Sequence, residues 1–141
     1  MSRRAESYAL DTNVIIRFVF NDHAELSAKS REIMQAAKDG SILLYLDPII
    51  LAEAVFVLGS QYAAPRDRVV TLLRLLVEKE STLMPDKHRY LRALDIFGNT
   101  NAHFGDACAC ATALECCEGR LFSFDRKLSK IDGISRSERP K

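Results

Sequence analysis

The chain has no charge excess of either sign: 20 Lys and Arg against 19 Asp and Glu leave a formal net charge of +1 at pH 7. Global charge therefore draws in no polyanion, and any such ligand must be held by local patches. No stretch reaches the roughly 18 uninterrupted apolar residues of a membrane span. The opening Met1-Ser2-Arg3-Arg4 leads only into a short apolar run. The expectation is a cytoplasmic protein with no membrane partner. Internal repeats, low-complexity segments and interdomain linkers are also missing, so residues 1–141 read as one domain, with 135–141 as a polar, flexible tail. Hydrophobic residues make up 48% of the chain and charged residues 28%, which excludes a disordered class and allows a real core.

A zinc cluster is missing as well. Cys108, Cys110, Cys116 and Cys117 fall within one expected helix. At about 100° per residue Cys110 and Cys117 share a face while Cys108 points away from Cys110, which opposes four thiolates meeting at one ion. They read as small, partly buried thiols of a reducing compartment.

What is present is an alternation of strand-like and helix-like segments. Ser7-Tyr8-Ala9-Leu10 reads as a short strand, followed by a helix through Val14, Ile15, Phe18 and Val19 with capping oxygens from Asp11 and Thr12. Residues 24–39 read as an amphipathic helix with Leu26, Ile33, Ala36 and Ala37 on its apolar side. A strand at 42–46 precedes Asp47-Pro48 and an apolar helix over 49–61. Val69, Leu72, Leu73, Leu76 and Val77 mark a helix over 66–80, and Leu83-Met84 a short strand. Asp86 caps a helix carrying Leu91, Leu94 and Phe97. Another helix is expected to begin at Asp106, and a strand over 121–124 runs into Asp125. This order predicts an α/β fold with a mostly parallel sheet and helices on both faces.

Four acids stand where a charge needs a reason. Asp11 and Asp125 follow apolar strands, Asp106 opens a helix, and Glu53 lies among Ile49-Ile50-Leu51-Ala52 and Ala54-Val55-Phe56-Val57-Leu58 with no obviously wet face. Taken singly, Asp11 and Asp106 serve equally as helix caps, and Asp125 as the partner of a surface base. Glu53 resists such a reading. In open parallel sheets ligands gather beyond the carboxyl ends of the strands, and an oxygen-only set there suits a hard ion, Mg²⁺ or Mn²⁺. Arg17, Arg126, Lys127 and Lys130 lie near these acids in sequence and are candidates for RNA phosphates. His103 precedes Asp106 by three residues and reads as a solvated loop histidine; His23 and His88 carry no assigned role.

Taken in order, Asp11-Thr12-Asn13-Val14-Ile15, Leu51-Ala52-Glu53-Ala54-Val55, Phe104-Gly105-Asp106-Ala107 and Ser123-Phe124-Asp125 resemble the successive motifs of PIN-domain ribonucleases, especially VapC-type toxins. The resemblance spans residues 8 to about 128. It implies a PIN-like α/β/α sandwich with a central, mostly parallel sheet, and metal-dependent endoribonuclease activity with Mg²⁺ or Mn²⁺ as cofactor. It also implies a homodimer and a cognate antitoxin protein that blocks the site. Asp11, Glu53, Asp106 and Asp125 become the catalytic and metal-binding acids, with Asn13 and Ser123 assisting. Lys127 stands where some of these domains carry a further carboxylate, which leaves one or two ions open. The alternatives are a PIN-like nuclease of RNA processing or DNA cleavage, and a non-catalytic RNA-binding or protein-interaction module.

Overall fold

Hydrophobic alternation with helical crossovers builds two compact units in the computed structural model, one running to Lys87 and the other from His88 to Lys141. Residues 4–141 are described, so Met1, Ser2 and Arg3 of the opening run lie outside the described residues.

The first unit is a βααβααβ succession: β1 (Glu6–Ala9), α1 (Thr12–Val19), α2 (Ala24–Lys38), β2 (Ile42–Tyr45), α3 (Pro48–Ser60), α4 (Arg66–Glu78) and β3 (Thr82–Leu83). Its sheet is parallel in the order β1-β2-β3, with Tyr8 opposite Leu44 and Leu44 opposite Thr82. The core gathers Ile15, Ile16, Leu44, Leu46, Leu51, Leu58, Leu73 and Val77, all fully buried. Local signals set the start of α3: Pro48 occupies the first turn, where a missing N–H costs nothing, and the Asp47 carboxylate accepts the Ile49 N–H at 2.8 Å. Such a cap contributes about 1 kcal/mol.

Two expectations for this unit are corrected. The buried face of α2 carries Ser27, Ser30, Met34 and Ala37, whereas Leu26 is exposed. Small residues let α2 approach α1 closely, and Ser27 returns its hydroxyl hydrogen to the Phe20 carbonyl at 3.2 Å. Glu53 is exposed rather than enclosed, because α3 has an open face on which Ile49 and Phe56 are also exposed at 74% and 69%. Spacings of four and three residues put these three side chains on one stripe. The buried residues of α3 are Leu51, Ala54, Val55 and Leu58, so the core takes the rest of the helix and leaves this stripe open.

The second unit holds α5 (Lys87–Asn99), α6 (Phe104–Cys116), β4 (Arg120–Phe122), a 3-10 helix (Arg126–Lys130) and β5 (Ser135–Ser137). Phe97 meets Phe104 edge-on with centroids 5.8 Å apart, and Ala93, Leu94, Ala107, Cys110, Ala111, Ala113 and Leu128 complete the buried set. The expected flexible tail is corrected over its first three residues: β5 pairs in parallel with β4, Leu121 opposite Arg136. A polar segment forms a strand here because backbone bonds hold it, including Ser135 N–H to Gly119 O at 2.8 Å and Ser123 N–H to Ser137 O at 3.1 Å. The strand expected over 121–124 ends at Phe122, and the last helix starts two residues before Asp106.

Candidate metal and nucleic-acid site

Asp11 and Glu53 belong to the first unit, Asp106 and Asp125 to the second. Asp11 ends the connection from β1 and takes the N-cap position of α1, yet its side chain makes no capping hydrogen bond. It lines an open cavity of about 470 Å³ with Tyr45, Asp47, Ile50 and Pro85, which Glu53 does not reach. Beside it the Thr12 hydroxyl is buried without a hydrogen-bond partner among the described residues. Asn13 is exposed in the first turn of α1.

In the second unit the two acids come together. Asp106, half-buried in the first turn of α6, and Asp125, exposed before the 3-10 helix, line one cavity of about 270 Å³. Thr100, Asn101, His103, Lys127 and Lys130 share its wall. Asp106 is no cap, since His103 holds that position; a carboxylate in a first turn is favoured by the helix dipole. Asp125 does cap: one carboxylate oxygen accepts the Lys127 N–H at 3.0 Å. Its own N–H donates to Ser123 Oγ at 3.0 Å, so Ser123 acts by shaping the turn.

The basic candidates separate. Lys127 and Lys130 line the cavity, and Arg126 is exposed outside it. Arg17 is paired with Asp22 at 2.9 Å, and Tyr62 donates to the other Asp22 oxygen at 3.0 Å while stacking on Phe20 at 4.5 Å. The hydrogen bond from Arg17 holds the Asp22 carboxyl below its ordinary value. Asp22 and Tyr62 lie 40 residues apart and carry no joint signal in the sequence. Thr100 and Asn101, which line the cavity with Asp106 and Asp125, carry no such signal either.

The thiols do not form a site. Burial pushes Cys108 up to about 11 and raises Cys110 as well, the latter helped by the Asp106 charge. Both stay protonated at neutral pH and are poor nucleophiles.

Among the described residues no group of three or more His, Cys, Asp and Glu side chains is disposed to hold a metal ion. The pair Asp106 and Asp125 nonetheless fits a hard ion, because Mg²⁺ keeps most of its waters and typically takes one or two carboxylates with substrate phosphate oxygens. No described helix is long and apolar enough to cross a membrane.

Comparison with curated proteins gave no match. The PIN domain family matches residues 8–134, nearly the whole chain, and all four motif acids fall inside that span. Its members are generally metal-dependent nucleases. The mixed α/β architecture with a parallel three-stranded sheet is consistent with a PIN-like α/β/α fold, and the chain belongs to the PIN domain family.

Proposed function

We propose that the chain is a cytoplasmic, divalent-metal-dependent endoribonuclease, the toxin of a toxin–antitoxin pair, acting as a homodimer restrained by a small antitoxin protein. One observation carries the nuclease reading: two carboxylates, Asp106 and Asp125, share a cavity wall with two lysines, Lys127 and Lys130. Carboxylates alone repel RNA, whereas carboxylates able to hold a cation beside fixed ammonium groups suit a phosphodiester. The VapC-like order of the motifs around Asp11, Glu53, Asp106 and Asp125 supports the toxin role and makes these four the functional acids.

Asp106 and Asp125 would hold Mg²⁺ or Mn²⁺. The chemistry such an ion supplies when bound is activation of water and stabilisation of charge on the phosphoryl oxygens. The chain's own groups do the rest. Lys127 and Lys130 engage phosphates flanking the scissile bond and offset the carboxylate field, and Ser123 fixes the turn that presents Asp125.

Purified protein incubated with labelled RNA in Mg²⁺ or Mn²⁺ should cut it, excess chelator should stop cleavage, and returning the ion should restore it. Chelator-resistant cleavage, or none with any divalent ion, would overturn the reading. Charge reversal of both lysines, Lys127→Glu with Lys130→Glu, should weaken RNA binding most at low salt. Loss of two phosphate contacts flattens the slope of log K against log salt by about 1.4 on single-stranded RNA. An unchanged slope, read by fluorescence anisotropy, would remove the lysines from the interface. Growth arrest on induction, relieved by co-expressing an adjacent small gene, tests the toxin role, and light scattering tests the dimer.

A further inference from the structure

We propose that Arg136 is a positioning residue for the Asp125 turn, so that β5 sets the aim of one functional carboxylate; this rests on the reading of Asp125 given above. The guanidinium reaches two acceptors on either side of Asp125 in sequence. Nη1 donates to the Ser123 carbonyl at 2.8 Å and Nε donates to Ser129 Oγ at 2.8 Å. Glu138 Oε1 lies 3.7 Å from Nη1, and the Arg136 side chain is only 14% exposed. The fork thus ties the residue after β4 to the 3-10 helix, and the five residues between Ser123 and Ser129 include Asp125 and Lys127.

Arg136 does not line the Asp106–Asp125 cavity, so its proposed role there is an indirect one. Its effect passes through bonds already in place: Ser123 Oγ accepts the Asp125 N–H, and the Asp125 carboxylate accepts the Lys127 N–H. Strand pairing of β5 uses backbone groups and does not need this side chain. Lysine cannot substitute, because a single ammonium group lacks the rigid planar fork that bridges a carbonyl and a hydroxyl at once. Removing a group that orients a metal-holding side chain from outside the site typically costs roughly 10–100-fold in metal affinity or activity.

The test compares wild type with Arg136→Lys, Arg136→Ala and Ser129→Ala by amide hydrogen exchange, Mn²⁺ titration calorimetry and steady-state RNA cleavage. In Arg136→Lys, exchange over residues 123–130 should quicken roughly tenfold while the amides of α6 stay protected. Mn²⁺ affinity should fall roughly tenfold. The cleavage kcat should drop with KM changed less than about twofold. Ser129→Ala should give the same pattern more weakly. Unchanged protection over 123–130 in both Arg136 variants overturns the proposal, and so does an equal rise throughout α6, which marks a general structural role. Asp125→Asn in the same assays separates the two readings. If it retains Mn²⁺ affinity and cleavage, Asp125 is not a functional acid, whatever the exchange data say of Arg136.

Discussion

Asp106→Asn is expected to lower the rate of metal-dependent RNA cleavage by roughly a hundredfold or more while leaving the protein folded. Two magnitudes support the separation. The carboxylate lies in the first turn of α6 and takes no hydrogen bond or ion pair among the described residues, so folding owes it little beyond its interaction with the helix dipole. That interaction is worth about 0.3–1 kcal/mol. A hundredfold rate loss corresponds to about 2.7 kcal/mol of transition-state stabilisation, larger than any plausible stability effect at this position. Asp125→Asn should behave alike, because the amide oxygen can still accept the Lys127 N–H and keep the cap while the anionic charge is gone. Single-turnover cleavage read beside a thermal melt checks both variants. Near wild-type cleavage by well-folded Asp106→Asn would remove this acid from the mechanism.

The largest stability effect is expected from Gly119→Ala. Gly119 has φ of +84°, a region costly to residues with a side chain, and a Cβ there would run into the carbonyl oxygen of Gly133. Backbone cannot rotate aside as a side chain can. Gly133 also has φ of +84°, but its added Cβ would meet only the Leu114 Cδ2 methyl at 2.8 Å, the far end of a flexible chain. Combining backbone strain with an overpacked contact, Gly119→Ala should cost roughly 2–5 kcal/mol and Gly133→Ala about 1–2 kcal/mol. For a chain of this size the first amounts to a melting shift on the order of 10 °C. Urea unfolding of the two variants checks the order; a smaller loss for Gly119→Ala than for Gly133→Ala would contradict it.

These outcomes also show which parts of the structure could be read from residues in a row. Apolar periodicity and the Asp47-Pro48 pair placed α3 and α4 within a residue or two, since those signals act locally. Periodicity misjudged α2 because the close approach of α1 demanded small residues, and Ser27 could be buried once the Phe20 carbonyl accepted its hydroxyl. It misjudged Glu53 because a nearly continuous apolar run hides which stripe of a helix faces outward. β5 carries no apolar signature at all. It exists through backbone pairing and through the close approach of Gly119 to Gly133, both invisible before folding. At the candidate site, motif order located Asp106 and Asp125, which do share a cavity. Arg136 could not be found in that way, because its significance is a pair of hydrogen bonds spanning 7 and 13 residues.

The connection between β4 and β5 has a bearing on how this chain can vary over time. Parallel strands need a crossover of roughly a dozen residues or more, and residues 123–134 supply little beyond that minimum, with a 3-10 helix in place of a full α-helix. Surface loops usually absorb insertions and deletions at small entropic cost. This one has no slack to lose. Exposed positions such as Arg126 and Phe124 can exchange side chains, but shortening the connection by one residue is expected to strain the pairing of β5 and the Asp125 turn. The segment is therefore held in length as well as at Ser123, Asp125, Leu128, Ser129 and Gly133, a ruler whose markings are fixed and whose exposed spaces between them are open to exchange.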